Sequence, residues 1–254
     1  MINLKKAVIT ILIFILIAIV GLVIWYYIYP TKITVLTYHD FVKETPENNM
    51  QISKQNFKKQ MKYLHDHNYK TLKLKDIECF LEGKCKLPKK SVLITMDDGW
   101  KNELLIAAPI LKKYDLNATI FYIGEHYDGT NENFMNKEDI KKLKKEYPNI
   151  ELANHSYKLH YEEAYLLDEE SISNDLNKMN EINESKYYAY PYGKYSEEYI
   201  KSLNGLDYSL AFTFGPDDNH RKLTKNDNKY ELPRLNMSTD MPMWKFILRL
   251  NWYK

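Results

Sequence analysis

Ser91-Val92-Leu93-Ile94-Thr95-Met96-Asp97-Asp98-Gly99-Trp100 sets a run of aliphatic and β-branched residues directly against two adjacent carboxylates and a glycine. The run reads as a buried strand. Two carboxylates at the end of such a strand are costly unless each has a partner, and Gly99 permits a sharp turn that aims both toward one end of the domain. A metal ion would satisfy one of them. An exposed Asp-Gly turn is the other reading of the same residues.

Outward from this stretch the pattern repeats. Residues 33–38, 118–123, 150–153, 187–190 and 209–214 are short apolar, β-branched or aromatic runs, each a predicted strand. Between them lie Lys-rich stretches with helical spacing: Phe57, Met61 and Leu64 in 53–66, Leu104, Ile110 and Leu111 in 101–114, and Ile140 and Leu143 in 137–146. Lys141, Lys142, Lys144 and Lys145 read as a solvated helix face. Alternating strands and helices predict an α/β domain with a parallel sheet. Neither a G-x-G-x-x-G nor a Walker motif marks a switch point of an open sheet, so a barrel-like (β/α) arrangement is expected. At the C-terminus, 241–251 reads as a helix begun by Asp240 with Pro242 in its first turn, and its Trp244 and Phe246 are expected in the core.

The chain has 254 residues, 44% hydrophobic and 28% charged, with 8 Gly and 9 Pro, a composition that excludes disordered and collagenous classes. Its 36 basic and 34 acidic residues nearly cancel, so nucleic acid is not an expected partner. Only Arg221, Arg234 and Arg249 can supply a fixed cationic fork, against 22 tyrosines. The average hides an asymmetry. After Lys5 and Lys6, residues 7–28 carry no charge and would span about 33 Å as a helix, enough for a bilayer. The run ends in bulky Trp25-Tyr26-Tyr27-Ile28-Tyr29-Pro30 rather than a small-residue cleavage site, which predicts an uncleaved signal anchor. The lysines place the N-terminus inside. Residues 1–30 are thus expected to be a cytoplasmic stub and transmembrane anchor in the cell membrane, and 31–254 an extracellular domain. Cys79 and Cys85 suit either a small disulfide loop or two free thiols.

In a parallel β/α domain the chemistry lies at the carboxyl ends of the strands. There the sequence places Tyr38-His39-Asp40, Asp97-Asp98-Gly99-Trp100, Asn154-His155-Ser156 with His160, and Tyr190-Pro191-Tyr192-Gly193. His155 and His160 would point about 140° apart on a regular helix, so they share an ion only if the segment is irregular. One carboxylate and two imidazoles form a facial triad that leaves positions open for water and substrate. Adjacent Asp97 and Asp98 cannot readily flank a glycosidic bond, which disfavours a glycosidase. His65, His67, His126 and His220 read as surface residues. Trp100, Tyr122, Tyr157, Tyr161 and Trp244 are candidates to stack on sugar faces.

These motifs resemble those of the NodB-homology polysaccharide deacetylases, carbohydrate esterase family four. Thr95-Met96-Asp97-Asp98-Gly99 is similar to the family's Thr-Phe-Asp-Asp-Gly, His155-Ser156 with His160 to its second motif, and Tyr190-Pro191-Tyr192-Gly193 to its third, within a resemblance spanning roughly 33–250. The His-to-His spacing, the Ala-Tyr-Pro-Tyr-Gly form and the early Tyr-His pair look like the branch acting on poly-β-1,6-N-acetylglucosamine, a biofilm exopolysaccharide. The resemblance implies a distorted (β/α) barrel. It implies that Asp98, His155 and His160 bind a divalent metal, zinc foremost, with cobalt and nickel as alternatives. It further implies that Asp97 is the general base, that the Tyr192 backbone N–H helps hold the oxyanion, and that His39 is the acid on the opposite side of the scissile bond. Two family features are missing: the Arg of motif three and a late Leu-x-His. Arg234, in a predicted strand at 231–236, is the best placed of the three arginines to replace the former. A monomer acting on an N-acetylglucosamine polysaccharide is expected; a peptidoglycan or chitin-oligomer deacetylase and a noncatalytic carbohydrate-binding protein are the competing readings.

Overall fold

The computed structural model describes residues 4–28, 31–215, 221–237 and 240–252. In chain order its strands are β1 (Thr34–Tyr38), β2 (Asp40–Val42), β3 (Gln51–Ser53), β4 (Lys70–Thr71), β5 (Ser91–Asp98), β6 (Ala118–Tyr122), β7 (Ile150–Asn154), β8 (Tyr187–Ala189), β9 (Leu210–Phe212) and β10 (Leu235–Asn236). The helices are α1 (Leu4–Ile28), α2 (Lys54–Asp66), α3 (Leu74–Leu81), α4 (Ala108–Lys113), α5 (Lys137–Glu146), α6 (Glu169–Ile182), α7 (Glu197–Gly205) and α8 (Met243–Trp252). The main sheet is parallel, in the order β10-β1-β5-β6-β7-β8-β9, with β4 also on β5.

β1, β5 and β6 are buried along their whole length, which is why their sequences run apolar without alternation. Their residues nevertheless divide by parity between two cores. Leu36, Ile94, Met96 and Ile120 meet Phe57, Met61, Leu64, Ile140, Leu143 and Phe246 in one cluster. Val35, Leu93, Phe121, Ala153, Ala189 and Phe212 form the other, inside the curl. The sheet curls far enough for one short segment to touch both of its outer edges. Leu232 N–H donates to the Ala211 carbonyl and the Leu232 carbonyl accepts from Thr213, while Leu235 pairs with Leu36 and Met237 N–H donates to the Thr37 carbonyl. The expected barrel is therefore a curled half-barrel whose gap is bridged by 232–237.

The amphipathic stretches at 53–66 and 137–146 form α2 and α5, started by side-chain caps at Ser53 and Asn136. The stretch at 101–114 does not form one regular helix: a π turn, Glu103–Ala107, precedes α4. Pro109 lacks the N–H that a regular ladder needs there, and a wider turn is the usual accommodation. In α8, Phe246 is fully buried, but Trp244 is 66% exposed, contrary to the core position expected for it. Its side chain leaves the face that carries Phe246 and Leu250. Cys79 and Cys85 are joined as a disulfide.

The chain divides into two units, Met1–Thr31 and Lys32–Lys254. In the first, α1 is a single helix whose described side chains, those of 6–21 and 23, are mostly exposed apolar groups. Among the described residues no helix is long and apolar enough to cross a membrane. A bilayer requires about 20 apolar residues, and the side chains of Lys5, Trp25, Tyr26, Tyr27 and Ile28, with Tyr29 and Pro30, lie outside those described.

Gly193 closes the turn after β8 at φ 71°, and a Cβ there would lie 1.7 Å from the Phe214 carbonyl oxygen. Gly193→Ala is expected to lower the thermal midpoint sharply, by more than the ~1 kcal/mol of an ordinary Gly-to-Ala change at positive φ. Thermal unfolding followed by circular dichroism checks this.

Candidate active site

The strand register builds the first half of the site. Thr37 lies beside Thr95 across β1 and β5, and the two hydroxyls meet at 3.2 Å. Two residues further along each strand the side chains return to the same face, so His39 and Asp97 emerge together at the carboxyl end, with His39 Nε2 3.8 Å from Asp97 Oδ2. Asp98 should by parity face the other core. It adopts φ 81° instead, followed by Gly99 at φ 80°, and this left-handed pair ends the strand and brings the second carboxylate round beside the first. Only glycine fits at 99, since a Cβ would come within 2.3 Å of Tyr122 Cδ2.

The second half comes from loops. His155 follows β7, and its Nδ1 lies 2.7 Å from the Ala189 carbonyl oxygen. A carbonyl only accepts, so Nδ1 carries the proton and the Nε2 lone pair is left toward the site. His160 lies in an irregular segment, as sharing one ion with His155 requires. That segment is clamped from α6: Asp175 accepts from Tyr157 N–H and Lys158 N–H, both at 2.8 Å. His155 Nε2 and His160 Nε2 stand 3.5 and 3.2 Å from Asp98 Oδ1. One donor atom from each of Asp98, His155 and His160 lies within 4.8 Å of the others. Two imidazole nitrogens and one carboxylate oxygen, converging and held from behind by a carbonyl, are a donor set that fits a divalent transition metal.

Burial and charge set the protonation states. Burial pushes the Asp97 carboxyl up, but the charge of Arg234 and the hydrogen bond it donates outweigh it, leaving Asp97 below the usual carboxylate range. Arg234 is wholly buried. Its Nη1 donates to Asp97 Oδ1 at 2.7 Å and its Nε to the Thr213 carbonyl at 2.8 Å, while Phe121 and Phe214 lie against the guanidinium at 5.5 and 5.8 Å. Burial also opposes ionisation of Asp98, yet the two imidazoles gathered at its Oδ1 hold it well below the usual range. For His39 burial dominates and lowers the imidazole pKa, with Asp97 and Asp98 opposing in part.

A cavity of about 290 Å³ joins these groups; His39, Asp97, Asp98, His155, His160 and Tyr192 line it together with Met50, Tyr190 and Phe214. Tyr192, at φ 57°, sits at the mouth, half exposed, with its ring 5.2 Å from that of His160. Arg234 stands behind Asp97. The expected placement of Asp97 and His39 on opposite sides of a scissile bond does not hold: at 3.8 Å they are neighbours on one wall, with no room for substrate between them.

Of the aromatic residues expected to stack on sugars, none lines the cavity. Tyr122 is buried with its hydroxyl on the Met135 carbonyl, Trp100 is covered by Phe134, and Trp244 is on α8. Tyr157 is half buried and Tyr161 exposed. His65 and His67 are exposed, His126 is half buried against Phe134, and His220 lies outside the described residues. One buried acid escapes sequence reasoning altogether. Glu103 is wholly buried in the π turn, with the Gly99 and Trp100 backbone beside its carboxyl. Burial, then Asp98 and Asp97, hold its carboxyl well above the usual range, so it is neutral beside two ionised carboxylates.

This fold and this constellation define a hydrolytic deacetylase domain. The sequence profile of the family described as "Polysaccharide deacetylase" matches residues 84–211, and the chain belongs to that family. The chain is similar to the poly-β-1,6-N-acetyl-D-glucosamine N-deacetylase of Staphylococcus epidermidis, 30% identical over 234 residues, covering 81% of this chain and 78% of that protein. It is similar to the enzyme of the same name from Staphylococcus aureus (strain N315), 32% identical over 210 residues, 76% and 69% of the two chains. Among solved structures it is similar to Streptococcus pyogenes deacetylase PplD in complex with acetate, with TM-score 0.78, 21% identity and coverage of 88% and 100%. It is also similar to IcaB from Ammonifex degensii, with TM-score 0.72, 23% identity and coverage of 88% and 97%. Both likenesses concern the fold.

Replacing Arg234 tests the buried pair. In Arg234→Met the leading influence that lowers the Asp97 pKa is gone and burial prevails, so the pKa rises and the acidic limb of the pH–rate profile moves to higher pH. The unpaired carboxylate also costs about 3–5 kcal/mol of stability. A pH–rate profile and a denaturant titration read the two effects; an unmoved acidic limb would contradict the assignment.

Proposed function

We propose that the protein is a metal-dependent N-deacetylase of poly-β-1,6-N-acetyl-D-glucosamine, releasing acetate and leaving glucosamine units. The observation that carries this reading is the convergence of Asp98, His155 and His160 beside an arginine-paired Asp97, in a chain 30% and 32% identical to enzymes named for that substrate. We assign Asp98, His155 and His160 as ligands, with zinc the resident ion and cobalt or nickel able to replace it. Such an ion, when bound, supplies Lewis acidity that polarises the acetamide carbonyl and eases deprotonation of water. The uncharged run at 7–28, a feature of the sequence and not of the described part of α1, supports reading residues 1–30 as the membrane anchor of a monomer whose catalytic unit is extracellular.

The chain's own residues then divide the proton work. Asp97, ionised and held in one orientation by Arg234, takes a proton from the attacking water. His39 is neutral at rest because burial lowers its pKa, so it stores no proton of its own. Its Nε2 is 3.8 Å from Asp97 Oδ2, and once the two groups close to hydrogen-bond distance it receives the proton that Asp97 has just taken and passes it to the departing sugar nitrogen. Attack and departure occur at the same carbon, so a base and an acid on one wall serve both bonds. The turn carrying Tyr192 offers its backbone N–H to the developing oxyanion, and Phe214 limits water around His39 and Arg234.

The decisive experiment measures acetate release from β-1,6- and β-1,4-linked N-acetylglucosamine oligomers. Turnover on the former, abolished by a chelator and restored by Zn²⁺ or Co²⁺, is expected; turnover confined to β-1,4 oligomers would instead assign a peptidoglycan or chitin-type substrate. Asp97→Asn and His39→Gln should each lower kcat by roughly 10²–10⁴ with little change in KM. Binding without acetate release in wild type and Asp97→Asn alike would point to a carbohydrate-binding protein.

A further inference from the structure

Trp100 directly follows the catalytic turn, yet its polar atom and one ring face are already engaged. Indole Nε1 donates to Asp98 Oδ2 at 3.0 Å. The ring stacks on Phe134 with centroids 4.3 Å apart, and Phe134 stacks on His126 at 3.9 Å. The backbone repeats the attachment: Trp100 and Phe134 form an antiparallel bridge, Met135 N–H donates to the Gly99 carbonyl at 2.9 Å, and Lys101 N–H donates to the Asn133 carbonyl at 2.7 Å. An indole N–H is a donor only. Pinned by the stack, it holds one oxygen of Asp98 and leaves the other, Oδ1, toward His155 Nε2 and His160 Nε2.

We propose that Trp100 is a positioning residue for the metal site: by occupying Oδ2 it restricts Asp98 to donating a single oxygen. The inference rests on reading Asp98, His155 and His160 as ligands. A carboxylate free to turn about its terminal torsion, which is broad and two-fold, can offer both oxygens and consume a position that water and the acetamide need. The indole removes that freedom. The His126–Phe134–Trp100 stack thereby gains a purpose distinct from sugar binding, carrying rigidity from the outer segment to the ligand.

The test is a Co²⁺ titration of the metal-free, full-length protein, read by visible absorption and by competition for affinity, without substrate. Trp100→Phe is expected to bind Co²⁺ 10- to 100-fold more weakly, with fainter visible bands as the carboxylate becomes bidentate. Phe134→Leu keeps the N–H and should lose less. Wild-type affinity and spectrum in Trp100→Phe, or equal losses in both variants, would overturn the inference in favour of plain packing. Should Trp100→Phe fail to fold, Trp100→3-benzothienylalanine replaces the N–H by sulfur at constant shape and is read the same way. A wild-type protein that takes up no Co²⁺ overturns the ligand assignment itself, a result separable from a spectrum that Trp100→Phe leaves unchanged.

Discussion

The structure turns on one buried ion pair, Arg234 with Asp97. Two charges withdrawn from water cost several kcal/mol each, and a pair repays this only with good geometry and with its remaining hydrogen-bonding groups satisfied. Here the guanidinium donates through Nη1 to Asp97 and through Nε to the Thr213 carbonyl and lies against two aromatic rings, whereas Nη2 is buried without a partner among the described residues, so the pair is not fully compensated. Arg234 belongs to the segment that bridges the edges of the curled sheet, and Asp97 to the interior strand β5. The same contact therefore joins barrel closure to the orientation of the carboxylate proposed as base. Arginine suits this task because its planar fork can reach a carbonyl and a carboxylate at once, which an ammonium on a flexible stem does less well.

Around that pair, regular and irregular structure do different work. Parity along β1 and β5 delivers His39 and Asp97, and no special backbone is required. The groups proposed as ligands, and the turn beside them, depend on exceptions. Asp98, Ser156 and Tyr192 all have positive φ, a conformation unfavourable for non-glycine residues that the surrounding structure must impose. The clamp of Asp175 on the Tyr157 and Lys158 amides supplies part of that support.

These differences explain what could be read from the chain. The six strand positions and helices α2 and α5 were legible because burial on both faces and amphipathic spacing leave a mark in composition. Asp97, Asp98, His155 and His160 were legible because acids and imidazoles at strand ends are unusual. Arg234 stood out by scarcity. β2, β3 and β4 are too short to carry a period, and the π turn at Glu103 looks like ordinary helix. Glu103 itself was invisible, since a glutamate in a helical stretch reads as solvated until its neighbours are known. The misplacement of His39 relative to Asp97 had a related cause. Sequence gives which strand ends carry polar groups, whereas the distance between two of them depends on register.

The charge balance of the cavity gives the acid at 103 its meaning. Asp97 and Asp98 are ionised and Arg234 offsets one of them, while His39 is neutral. One net negative charge then remains, and an ionised Glu103 would double it. Because burial keeps Glu103 neutral, a single divalent cation on Asp98, His155 and His160 would reverse the sign of the cavity. A net positive pocket favours the negative charge that develops on an acetamide oxygen during attack. The same reversal would disfavour a second cation, and it would favour departure of acetate as a neutral acid or with its proton close at hand. The buried acid thus sets how many charges the site holds, without touching substrate.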